Sequence, residues 1–238
     1  MTRRIIIAFS TVLLEPLVTC ADEALLKENF ETLPLGRIVP GRYPHIASWE
    51  GPSRQFGWIG VTDQYPESAA SGKDHLNAVA FYDSASDKNK APSLQFRWED
   101  KAPRSGILTL AWDFLVPVEK PFLAIHFLGS NWKNSTAALL LADGAIILHA
   151  DKGDASRIRI GTYTVGVWHS IKVTLDPGAR TLDVWIDGKK AANAISWLET
   201  SPKTIDRFST VADYAPVDRM GAAVLYLDNI EVSTSSAP

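Results

Sequence analysis

The sequence predicts an all-β fold, a two-sheet antiparallel sandwich, and three observations point there. Short apolar–polar alternations recur along the chain, turn-forming residues separate them, and helical periodicity is nearly absent beyond the N-terminal segment. Medium strands of this kind bury their apolar faces by stacking one sheet on another.

The elements follow in order. Leu108, Leu110, Trp112, Phe114 and Val116 alternate with Thr109, Ala111, Asp113 and Leu115, the two-residue period of a half-buried strand. Phe122 to Leu128 is a more continuous apolar run, as expected of a strand covered on both faces. Ala137 to Leu141 and Ala145 to Ala150 flank Asp143-Gly144, which predicts a hairpin because Asp-Gly supplies the positive φ of a two-residue turn. Ile171, Val173 and Leu175 share one face, and Asp176-Pro177-Gly178 turns the chain. Leu182, Val184 and Ile186 line the returning strand, which Asp187-Gly188 ends. From Ser233 to Pro238 the composition reads as a frayed tail.

The chain has 238 residues, 46% hydrophobic, with eight Trp, enough apolar surface for one large core. We expect one sandwich domain over residues 22–238. The formal charge is -3 with acids and bases interspersed, so no basic stripe is available to neutralise phosphates, and nucleic-acid binding is not expected.

Residues 1–21 have the pattern of a signal peptide. Arg3 and Arg4 form a basic start, Ile5 to Leu14 is a short apolar stretch, and Glu15-Pro16 ends it before bilayer-spanning length. Two processing routes fit. Thr19-Cys20-Ala21 offers small residues for cleavage before Asp22. Alternatively, Leu17-Val18-Thr19-Cys20 resembles a lipoprotein signal ending at residue 19, with Cys20 lipidated and Thr19 departing from the usual small residue there. Either route predicts a secreted, periplasmic or cell-surface protein, with a lipid anchor as its only membrane contact. Cys20 is the only cysteine, so the expected domain has no internal disulfide.

The run from Gly161 through Trp168-His169 to Asp176, followed by Thr181 to Asp187-Gly188, resembles the concanavalin A-like and laminin G-like jelly rolls of bacterial extracellular proteins. Asn29-Phe30-Glu31 near the start and Tyr226 to Val232, containing Asp228-Asn229-Ile230, resemble their opening and closing strands. The resemblance implies a fold shared by lectins, carbohydrate-binding modules, polysaccharide lyases and glucanases, and fold does not choose among them. It also implies paired terminal strands, where Glu31 and Asp228 could ligate a structural calcium ion, with local capping as the alternative.

Candidate chemistry is sparse. The paired carboxylates of a glucanase strand are missing, since Glu99-Asp100 and Glu119 are isolated. Ala124-Ile125-His126 keeps part of a lyase strand and makes His126 a weak candidate base, otherwise a core histidine. The aromatics carry more. Phase places Trp185 outward between Asp183 and Asp187, where an indole could stack on a sugar and carboxylates could accept hydroxyls. Trp132 beside Asn131 offers a similar pairing in a loop. The leading expectation is a carbohydrate-binding or recognition module without catalysis, its partner a polysaccharide or glycan. The alternatives are a polysaccharide lyase or hydrolase working in a concave groove, and an adhesive module that binds protein.

Overall fold

The computed structural model describes residues 23–39, 41–49, 57–66, 75–83, 92–98, 106–119, 122–129, 135–150, 157–196, 205–213 and 222–235. Among them the regular structure is β throughout, in two antiparallel sheets. Residues 1–22 lie outside this set, and with them Cys20 and the expected leader; so do Asn131 and Trp132.

One sheet has nine strands: β1 (Glu23–Glu28), β2 (Gly36–Arg37), β4 (Gly57–Thr62), β5 (Ala78–Asp83), β7 (Ile107–Leu115), β12 (Trp168–Asp176), β13 (Thr181–Ile186), β14 (Lys189–Ser196) and β16 (Ala223–Ser235). The other has seven: β3 (Ile46–Trp49), β6 (Ser93–Arg97), β8 (Leu123–Gly129), β9 (Ser135–Ala142), β10 (Ala145–His149), β11 (Arg157–Thr162) and β15 (Arg207–Asp213).

The local readings hold where periodicity and turn chemistry agree. Asp143 and Gly144 have φ of 49° and 85°, and Asp187 and Gly188 have 49° and 73°, the left-handed pair that a two-residue hairpin turn requires. Leu108, Leu110, Trp112 and Phe114 of β7 face inward with Ile171, Val173 and Leu175 of β12 and Leu182, Val184 and Ile186 of β13. They meet Phe96, Ala124, Leu128 and Phe208 of the other sheet, and Trp112 lies 4.8 Å from Phe208 between ring centroids. Truncating a buried aromatic at such a point costs about 3–5 kcal/mol.

The tail reading is corrected: Ser233 to Ser235 belong to β16, paired with Thr109, Leu108 and Ile107 of β7. Terminal strands do pair, Glu28 opposite Ile230. β16 is long enough to use one edge twice. Its Ala223–Leu227 portion pairs β5 and its Ile230–Thr234 portion pairs β1, while its other edge runs along β7. A bulge falls between Asp228 and Glu231 against β7, with Asn229 at φ 49°. That junction gathers side chains from several separate parts of the chain.

Candidate functional site

Trp185 faces outward, as phase predicts, and is half-buried. Strand register sets Lys172 of β12 and Lys190 of β14 on either side of it. Their Nζ atoms lie 5.3 and 4.8 Å from the ring centroid, within cation–π reach. The flanking carboxylates differ from expectation. Asp183 accepts from Lys190 Nζ at 2.8 Å and from the Ala194 N–H. Burial pushes its carboxyl up, but these two bonds outweigh that and hold it below the usual range. Asp187 sits in the turn, where positive φ ends the alternation, and its side chain reaches back to β12. It accepts from His169 Nδ1 at 2.8 Å and from the Ser170 N–H at 2.9 Å. Both carboxylates are therefore engaged by the protein itself.

The same bonds account for the Trp-His and Asp-Gly pattern. His169 Nε2 accepts the Thr164 N–H at 2.9 Å, so its Nδ1 must carry the proton that Asp187 accepts. His169 closes the end of the core against Phe114, and Trp168, one residue earlier, turns to the outer face.

On that outer face a polar cluster occupies the junction beside β16. His75, just before β5, stacks on Trp168 at 3.9 Å between centroids, and its Nδ1 donates to Asp228 Oδ2 across 2.7 Å. Its Nε2 lies 3.8 Å from Asp113 Oδ2 on β7. Asp228 Oδ1 accepts the Asn229 N–H, and the Asn229 side chain donates to Asp113. Glu31, in the turn after β1, accepts the Asn77 N–H at 3.1 Å. Tyr65 packs against Trp168 and Tyr226. Burial drives the Asp228 carboxyl up to about 6, although bonds from His75 and Asn229 oppose it. Burial also raises Tyr65, with the charges of Asp228 and Glu31 adding to it, and raises Tyr226 to about 12.

Calcium takes six to eight oxygens. Among the described residues no group of three or more carboxylate, imidazole or thiolate side chains is arranged to hold a metal ion. Each Asp228 oxygen accepts one protein donor, Oδ2 from His75 and Oδ1 from the Asn229 N–H.

His126 lies inside the sandwich, 1% exposed, sharing a 2.8 Å hydrogen bond with Thr210 among Trp112, Phe114 and Phe208. Burial lowers its pKa to about 3. A base there has no path to a polysaccharide, so the structure removes it from any groove.

Sequence reasoning missed His75, Asp113 and Tyr65. Asp113 left a signal, a carboxylate at an outward position of a largely apolar strand. His75 and Tyr65 left none, because they come from the connection between β4 and β5 and meet Asp228 only through the sheet order. A cleft of about 290 Å³ was also unforeseen. It lies at one end of the sandwich, lined by Val118, Glu119, Phe122, Asp143, Tyr163 and Val165, with Gly144 beside them.

No protein-family profile matches the chain, and no curated protein matches it. Solved structures do. A sialidase superposes with a TM-score of 0.62 at 15% identity over 89% of this chain, which spans 19% of the sialidase. A conserved carbohydrate esterase from the Shiga toxin-encoding bacteriophage phi24B gives 0.57 at 12% identity, over 91% of this chain and 100% of its own. A cellulose-induced protein gives 0.57 at 11% identity, over 89% and 98% respectively. At such identities the likeness establishes the architecture, an all-β sandwich of two antiparallel sheets, and nothing finer.

Proposed function

We propose that this chain is a carbohydrate-binding sandwich that recognises its ligand through surface aromatic side chains and performs no chemistry of its own. The observation that carries the reading is Trp185, a large indole held outward and half-buried on a sheet face, with two lysine donors beside it. An indole presents an apolar ring to the apolar face of a sugar, and ammonium groups bond hydroxyls or acidic substituents. Two further points support it. The one histidine suggested as a base is sealed in the core, and the architecture is shared with a carbohydrate esterase and a cellulose-induced protein. A glycan array probed with the wild-type chain and with Trp185→Ala tests the reading. Binding that the substitution weakens supports it. Turnover of any polysaccharide, or an array on which no glycan depends on Trp185, overturns it.

A further inference from the structure

The cleft at the end of the sandwich is built rather than incidental. Four backbone segments form it: the chain leaving β7, the entry to β8, the β9–β10 turn and the β11–β12 connection. Hydrogen bonds lock these segments to one another. The Phe122 N–H donates to Asp143 Oδ1 at 3.0 Å, the Tyr163 N–H to the Gly144 carbonyl at 3.1 Å, and the Gly166 N–H to the Val116 carbonyl at 2.9 Å. Tyr163 is fixed from behind by an edge-on contact with Phe114, ring centroids 5.9 Å apart. The shape is therefore present before any ligand arrives, which removes an ordering cost from binding.

Its chemistry is one-sided. Phe122, Tyr163 and Val118 are buried and supply apolar walls, while Val165 remains 38% exposed at the rim beside Val167 at 43%. Burial, with the Asp143 charge adding to it, raises the Tyr163 phenol and keeps it neutral against the opposing Gly144 hydrogen bond. Two carboxylates line the space. Asp143 commits Oδ1 to Phe122, and Glu119 is exposed. Among the described lining residues none carries a positive charge. A neutral ring could use the walls and donate hydroxyls to the acids, and an ammonium group would gain their charge as well. At about 290 Å³ the space suits one compact unit.

We propose that this cleft is a second binding site, separate from Trp185, which takes an amino sugar carrying a free ammonium group. The ring lies against Phe122, Tyr163 and Val165, and the ammonium sits between Glu119 and Asp143. Isothermal titration with glucosamine oligosaccharides and with their N-acetylated counterparts tests it. The amine form should bind, and Glu119→Gln and Asp143→Asn should each weaken it about tenfold, the size of one lost charge-assisted bond. Asparagine tolerates the positive φ of residue 143, and Glu119 is exposed, so both variants should fold. Failure here is distinguishable from failure of the proposed function, because that reading is tested by Trp185→Ala on the glycan array and this one by Glu119→Gln and Asp143→Asn on the amine form. Equal binding of the N-acetylated form, binding indifferent to Glu119→Gln, equal binding of a lysine-bearing peptide, or no binding at millimolar concentration would each overturn the assignment.

Discussion

His169 and Asp187 are joined by a 2.8 Å hydrogen bond that fixes a protonation state as well as a distance. Because the Thr164 N–H points at Nε2, the ring is neutral with its proton on Nδ1. Long-range proton–nitrogen NMR correlations should report that tautomer. His169→Ala should cost about 1–2 kcal/mol, since it leaves one backbone donor and one carboxylate without their partner near the surface. A ring protonated on Nε2, or an unchanged stability, would remove the clamp.

His126 predicts an acid sensitivity. Its folded pKa of about 3 lies below the ordinary value of 6.5. Between these values the unfolded chain binds a proton that the folded chain does not, so stability falls as pH drops through 6.5 toward 3. Above 6.5 the effect is absent. By about pH 4.5 the loss is about 2–3 kcal/mol. His126→Asn keeps an amide for Thr210 and cannot titrate, so urea unfolding should show a flatter profile over this window. A profile parallel to that of the wild type would exonerate His126.

Trp185 divides binding from stability. Trp185→Ala should weaken glycan binding by about 1–3 kcal/mol, as a single aromatic anchor does. Its stability cost should stay near 1 kcal/mol, against about 3–5 for the buried Trp112. The measurement is a pair of denaturation curves beside the binding isotherms. A loss matching that of Trp112→Ala would identify Trp185 as a structural residue.

His75 holds one of the Asp228 oxygens that the sequence suggested for calcium. Since His75 Nδ1 holds that oxygen at 2.7 Å, melting midpoints in calcium and in chelator should coincide, and His75→Ala should lower both. An ion that binds only the folded chain at a hundred times its Kd would add about 2.7 kcal/mol. A midpoint raised by several degrees in calcium, and lost in Asp228→Asn, would place the ion there instead.

What the sequence made legible was local. The hairpins at Asp143-Gly144 and Asp187-Gly188 need only a two-residue turn and the alternation around it, both written in consecutive residues. The inward face of Leu182, Val184 and Ile186, and so the outward aim of Trp185, follows from the same period. The fate of Asp187 did not, because alternation stops where φ turns positive. The His75–Asp228 cluster was illegible for a different reason: it exists only because β1 and β5 share one edge of β16, and no local pattern encodes that pairing. Asp228 and Glu31 drew notice through resemblance alone, without the histidine that binds Asp228.

The placement of β16 also governs the order in which the molecule can be completed. It is the last strand among the described residues, yet it lies between β7 and β5 in the nine-stranded sheet. Until residues 223–235 arrive, β7 and β5 present unpaired backbone to solvent, and β1 has nothing to pair with. A growing chain therefore holds an open seam through its larger sheet until residues 223–235 have been made. Contacts of such long sequence separation close slowly, and a product cut short before β16 would carry two bare edges suited to joining another copy of itself.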